Sequence, residues 1–130
     1  MTKTATPKAE LRVGAHFVAG EFGTSDPAHF PGIGALCALF LDELRARFGA
    51  CTVHSGYRDA TRNAKVGGAP DSRHVYDKRP LTPAVDVSFA KGTPGEWSKA
   101  ARELAFAHGR GGVGTYATHL HIDLGPRRIW

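Results

Sequence analysis

The sequence predicts an α+β fold, a small, mostly antiparallel sheet flanked by two main helices. Two stretches, Pro31–Phe48 and Pro94–His108, carry apolar residues at helical spacing. Two others, Ala84–Phe89 and His119–Leu124, alternate apolar and polar residues with the period of a strand. The order of elements is helix, strand, loop, strand, helix and two closing strands.

In the first helix Ile33, Leu36, Phe40, Leu44 and Phe48 fall on one face, the pattern of an amphipathic helix with a buried stripe. Pro31 suits the first turn and Gly49 the stop, while Asp42, Glu43, Arg45 and Arg47 mark the wet side. Cys51–Ser55 reads as a short strand leading into the turn Gly56-Tyr57-Arg58. Asp59–Pro83 then reads as a long irregular stretch, with Gly67-Gly68, Pro70, Pro80 and Pro83; a loop of that length in a compact domain is usually functional. On the strand Ala84–Phe89, Val85, Val87 and Phe89 face one way and Ala84, Asp86 and Ser88 the other. Thr93-Pro94-Gly95-Glu96 opens the second helix as a capping box with proline at the first position. That helix is expected to bury Trp97, Ala101 and Leu104 and to stop at Gly109. Gly111–Tyr116 and His119–Leu124 close the sheet, and Trp130 is expected to dock on the core.

The chain of 130 residues has the length of one domain and can bury ~65–70% of its unfolded surface without a disulfide or metal staple. Hydrophobic residues at 42% and charged residues at 22% exclude disorder. The longest apolar run, Ala35–Leu41, is far below the ~20 residues that span a bilayer, so no membrane insertion is expected. Residues 1–12 are polar and aperiodic and are expected to form a flexible arm before a domain at 13–130. They lack the apolar segment of a secretory signal. Two cysteines, Cys37 and Cys51, make no framework and read as buried thiols. The net charge of +5 suits an anionic partner: nucleic acid, membrane surface or bacterial wall.

The seven histidines are the unusual feature. In His119-Leu120-His121-Ile122-Asp123-Leu124 the two histidines and the aspartate share one strand face, and the three aliphatics share the other. A core needs the aliphatics but not the polar row. Histidines at i and i+2 lie ~6.5–7 Å apart at Cα, so both rings can approach one metal. His74 sits in the irregular stretch, where ligands converge, and Asp86 sits on the polar face of its strand. Histidine and aspartate supply the nitrogen and oxygen ligands that zinc takes at ~2.0–2.2 Å. Three protein ligands leave a fourth position for water, as a hydrolytic site requires. A solvated polar face explains the same row more simply. Tyr76 and Asp77 read as turn residues, His54 as structural, and His16, His29 and His108 have no partner pattern.

The ordered set Ser55-Gly56-Tyr57-Arg58, Asn63, Gly67-Gly68, Ser72-x-His74, Ala84-Val85-Asp86 and His119-x-His121-x-Asp123 resembles the zinc D-Ala-D-Ala carboxypeptidase family. Its wider superfamily includes lysostaphin-type peptidases and hedgehog domains. The resemblance covers about residues 14–130. It implies the hedgehog/D-Ala-D-Ala peptidase-like fold, Zn2+ as cofactor, and His74, Asp86 and His121 as its ligands. It implies that His119 acts beside the metal as base or transition-state stabiliser and that Arg58 points into the site as a cation for an oxyanion or a substrate carboxylate. From the residues themselves, Asp123 reads either as a carboxylate that orients a ligand histidine or as an exposed strand-end acid, and Ser72 either as a holder of the His74 loop or, more simply, as ordinary loop polarity. The implied activity is hydrolysis of peptide bonds in peptidoglycan stem peptides or cross-links. A monomer is expected, and with no aromatic stacking platform or helix-turn-helix pattern no nucleic-acid partner is expected. The lack of a signal segment fits an endolysin of bacteriophage type, made in the cytoplasm and acting at the cell wall after lysis or export, or carried on a virion; it also fits a domain cut from a longer protein.

The chain departs from the family twice. The usual aspartate follows the first histidine by seven residues with a glycine between; here Asp86 follows His74 by twelve, and Asp77 stands at the glycine's place. An insertion at about Lys78–Thr82 accounts for the difference, with Asp77 as the alternative ligand. The Glu-x-x-His ending that supplies a glutamate base in some relatives is absent, which leaves the base role to His119. Two other readings stay open: an inactive zinc-binding structural or recognition module such as a virion component, and a nucleic-acid binder resting on charge alone.

Overall fold

In the computed structural model residues 7–130 are described. The expected arm therefore lies in part outside the described residues; within them Lys8–Glu10 forms a 3-10 turn and Arg12 pairs with Val18 in an isolated antiparallel bridge.

The first helical stretch runs without a break through α1 (Phe30–Leu36), a π-type turn (Cys37–Leu41) and α2 (Asp42–Phe48). Asp26 starts it by accepting the Ala28 N–H at 3.0 Å ahead of the 3-10 turn Pro27–His29. Ile33, Leu36, Phe40 and Leu44 are fully buried, whereas Phe48 at the end is only half-buried. The π-type turn accommodates an extra residue, and Cys37, Phe40 and Leu41 are all buried within it, so the apolar stripe is wider there than simple helical spacing implies. Burial pushes both thiols up, Cys51 to about 12, and neither is disulfide-bonded.

Five strands form one sheet: β1 (Cys51–Ser55), β2 (Ala84–Phe89), β3 (Gly112–Thr115), β4 (Leu120–Asp123) and β5 (Arg128–Ile129). The order is β1-β2-β4-β3-β5, and every pair is antiparallel except β3 with β5. The fold is therefore α+β with a mostly antiparallel sheet, as the alternation patterns predict. β4 lies in the middle, so the residues on it meet partners from both sides. Val85 and Val87 of β2, Val113 of β3 and Leu120 and Ile122 of β4 are fully buried and share one core with the helices. The alternate positions Asp86 and Ser88, His119 and His121 face away from that core.

α3 (Ala60–Lys65) and α4 (Pro94–His108) complete the helices. α3 lies inside the stretch read as irregular. Asp59 caps it by accepting the Arg62 N–H at 2.7 Å, and only six residues and one buried side chain, Asn63, make the apolar period too faint to read. In α4 Thr93 Oγ1 accepts the Glu96 N–H, while the Glu96 carboxylate takes the Thr93 hydroxyl and not its backbone N–H. Trp97, Ala100, Ala101 and Ala105 are buried and Leu104 is half-buried, so the small alanines, more than Leu104, seat this helix on β3. β5 is a further difference: two residues are too short for any period, and pairing with β3 alone defines it. Among the described residues no helix is long and apolar enough to cross a membrane.

Phe40 is wholly enclosed where the helical stretch meets the sheet. Phe40→Ala is expected to cost about 3–5 kcal/mol, a large part of a small domain's total stability. Urea unfolding checks it: the midpoint falls while the slope stays near its wild-type value.

Candidate metal centre

Asp86 and His121 meet because β2 and β4 pair in a register that sets them directly opposite each other. The Asp86 Oδ1 is 3.3 Å from His121 Nδ1. His74 comes from the loop between α3 and β2, and its Nε2 lies 3.5 Å from Asp86 Oδ2. The two rings stand 5.5 Å apart, edge to face. One ligand atom from each of the three residues fits within 4.8 Å of the others. His74 is buried, and Asp86 and His121 keep a small opening to solvent.

Neighbours decide which nitrogen of each ring faces the centre. His74 Nδ1 is 2.8 Å from the Gly56 carbonyl; a carbonyl only accepts, so Nδ1 carries the proton and Nε2 presents a lone pair. His121 Nε2 is 2.8 Å from Asp123 Oδ2, so it donates there and turns Nδ1 towards Asp86. This is the arrangement by which a metal-binding histidine is held in its tautomer. Asp123 is fully buried. Its Oδ1 accepts the N–H groups of Gly112 (3.2 Å) and Gly125 (2.8 Å), and Oδ2 accepts the Arg128 guanidinium (3.1 Å) as well as His121. Burial favours the neutral acid here, but the bonds from His121, Gly125 and Arg128 outweigh it and hold the carboxyl below the usual range. For Asp86 burial again opposes ionisation, and the contacts with His121 and His74 hold it well below that range. Burial lowers His121, while Asp123 and then Asp86 raise it further than burial lowers it.

Two imidazole lone pairs and a carboxylate therefore converge on one point. Acceptors brought so close repel one another unless a proton or a cation lies between them. The set of two nitrogens and one oxygen fits a divalent transition metal and leaves a coordination position open.

His119 immediately precedes β4 on the same face as His121, half-exposed, with its Nδ1 3.2 Å from Thr118 Oγ1. The Arg58 backbone N–H donates to the His74 carbonyl at 2.8 Å, which ties the Gly56–Arg58 turn to the His74 loop. Arg58 Nε is buried with no hydrogen-bond partner among the described residues, a cationic donor left available to an anion. A polar cleft of about 420 Å³ opens beside it, lined by Phe22, Ser55, Tyr57, Arg58 and Arg62 among others. Ser72 Oγ accepts the His74 N–H at 3.2 Å, so it does hold the loop.

Asp77 stands in a different cluster. Its Oδ1 is 2.9 Å from His29 Nε2, and its Oδ2 accepts the Tyr57 hydroxyl at 2.6 Å; that bond pushes the Tyr57 phenol up to about 12. His29 is buried, with Nδ1 2.7 Å from Thr24 Oγ1. Asp26 also faces His29, but its other oxygen is the cap of the 3-10 turn, so hydrogen bonding accounts for every member. His29, set aside in the sequence for want of a pattern, is a structural histidine bridging segments 48 residues apart. Tyr76 lies in a turn as expected, yet it is fully buried and its hydroxyl donates to the Ala84 carbonyl at 2.8 Å. His54 is exposed and bonds Ser88 Oγ at 2.6 Å. Trp130 does not dock on the core: it is 45% exposed, and its ring lies 4.9 Å from that of His121. Sequence reasoning missed the carbonyl of Gly56 and the Arg128 guanidinium. The only signal for Arg128 was its alternation with Trp130 in the last three residues.

Replacing a ligand and replacing its alternative should separate cleanly. Asp86→Ala is expected to abolish tight binding of a divalent metal, and Asp77→Ala to leave one metal per chain, as measured by metal analysis after dialysis. Asp123→Ala is expected to weaken binding by about 10- to 100-fold.

A curated relative, the zinc D-Ala-D-Ala carboxypeptidase of Streptomyces albus G, is 34% identical over 80 residues, or 61% of this chain. The chain spans only 29% of that relative's length. No solved structure matches the chain. Residues 15–123, which hold His74, Asp86, His119 and His121, match the family described as Peptidase M15, and the chain belongs to that family.

Proposed function

We propose that the chain is a zinc-dependent peptidase that hydrolyses peptide bonds in bacterial peptidoglycan, at stem-peptide ends or cross-links. The observation that carries this reading is the convergence of His74 Nε2, His121 Nδ1 and the Asp86 carboxylate in a member of a peptidase family. The similarity to a zinc D-Ala-D-Ala carboxypeptidase supports zinc as the metal and wall peptides as the substrate class. The net charge of +5 suits an anionic wall. An endolysin-type role for a domain at residues 13–130 is the setting we propose, on the strength of the sequence resemblance.

Bound by these three residues, zinc would supply a Lewis acid and a hydrolytic nucleophile at neutral pH. The chain's own residues do the rest. His119 takes the proton of the attacking water and returns it to the departing amine. Its Nδ1 is engaged by Thr118, which leaves Nε2 for that transfer. Arg58, with Nε unpaired, stabilises the oxyanion or holds a substrate carboxylate. Asp123 keeps His121 in one tautomer throughout.

Digestion of purified peptidoglycan, read by mass spectrometry of the fragments, is the test. The wild-type chain with one zinc should release peptide products, chelation should stop it and added zinc restore it. His119→Ala should keep the zinc and lose about 10²- to 10⁴-fold in kcat. Full zinc occupancy with no product would overturn the reading in favour of a binding module.

A further inference from the structure

Among the described residues no carboxylate is hydrogen-bonded to the His119 ring, whose single side-chain hydrogen-bond partner is the Thr118 hydroxyl. The residue is partly open to solvent. An imidazole in that position has rotamer freedom that a base must not have, because proton transfer needs hydrogen-bond reach to the reacting atom. Its ring nevertheless lies flat on Tyr116. The centroids are 4.6 Å apart and the planes differ by 5°. The two residues open and close the β3–β4 turn, where the Tyr116 N–H donates to the His119 carbonyl at 3.1 Å.

Tyr116 is itself 43% exposed and needs an anchor. Trp130 provides it: its indole N–H donates to Tyr116 Oη at 2.8 Å. Trp130 is fastened by its own backbone. Its N–H donates to the Val113 carbonyl at 3.1 Å, and its carbonyl accepts the Thr115 N–H at 2.9 Å. The indole lies over Gly114, where a Cβ would come within 2.7 Å of the ring's Cζ2, so only glycine admits it. The Arg128 guanidinium covers the ring at 4.9 Å and reaches on to Asp123 Oδ2. The contacts close a circuit, His119–Tyr116–Trp130–Arg128–Asp123–His121, that joins the two histidines through groups outside the metal ligands.

We infer that Tyr116, pinned by Trp130, is a positioning residue that sets the plane of the His119 ring for catalysis. This rests on the proposed role of His119 as base. The stack fixes the plane, and the Thr118 hydroxyl selects which nitrogen turns to the site.

Two measurements test it. In histidine-labelled protein, with the His119 signals assigned by their loss in His119→Ala, the ring protons should be shifted upfield by the tyrosine face. Tyr116→Ala should return them towards free-histidine positions, and Tyr116→Phe should keep the shift. In wall-peptide hydrolysis Tyr116→Ala should lower kcat by about 10- to 100-fold with KM and zinc content near wild type, and Tyr116→Phe should recover most of that loss. Wild-type His119 shifts in Tyr116→Ala, unchanged kcat, or loss of kcat together with zinc would each overturn the inference. If the wild-type chain with full zinc cuts nothing, the proposed function fails, while the resonance shift still decides whether Tyr116 orients the ring.

Discussion

The site depends on a buried carboxylate. Asp123 is shut off from solvent, and an isolated charge there would cost several kcal/mol or more. It is kept ionised because four groups converge on it: the His121 ring, the Arg128 guanidinium and the backbone N–H groups of Gly112 and Gly125. Arg73 stands just outside hydrogen-bond range, with Nε 3.9 Å from Oδ1. These partners belong to β3, β4, the turn after β4, β5 and the loop before β2. One side chain therefore ties together the segments that surround the site, and its demand for donors sets where each must lie.

That demand also accounts for the small residues around it. Gly112 is opposite Asp123 in the β3–β4 register, and a Cβ there would lie 2.8 Å from the carboxylate carbon. Any side chain would displace the acid that holds His121. Gly112 thus answers to the electrostatics of the site and not to a turn. The resulting backbone approach lets β3 lie close to β4, and β5 then joins β3 in parallel, bringing Arg128 and Trp130 alongside.

Two histidines separated by one residue, one on β4 and one just before it, meet different surroundings. His121 is locked by a buried acid and aimed at Asp86, a setting that suits a ligand. His119 lies just before the strand, partly open to solvent and held by an aromatic face and a hydroxyl. The difference comes from the place of each relative to β4, His121 inside it and His119 just before its first residue. The middle of a central strand is flanked by partners on both sides, and its end is not. On the other side, the Gly56–Arg58 turn supplies both the carbonyl that orients His74 and the Arg58 Nε that has no partner among the described residues.

Much of this was legible in the residues themselves. Period-two alternation located β2 and β4 and told which side of each was apolar, because a strand must put its aliphatics on one face to be buried at all. Helical spacing and the flanking Pro31, Thr93, Pro94, Gly49 and Gly109 located the two main helices. The grouping of His119, His121 and Asp123 followed from the same period, and the motif order pointed to His74 and Asp86. The sequence left open whether Asp77 or Asp86 lay beside His74, since spacing along a loop with an insertion does not determine distance in space. Tertiary structure decided that, by the β2–β4 register that sets Asp86 against His121 and by the hydrogen bonds that draw Asp77 to His29 and Tyr57. It also decided the tautomers, the short α3 and β5, and the seat of Trp130. Each of these depends on contacts between residues far apart in the chain, and local periodicity carries no record of them.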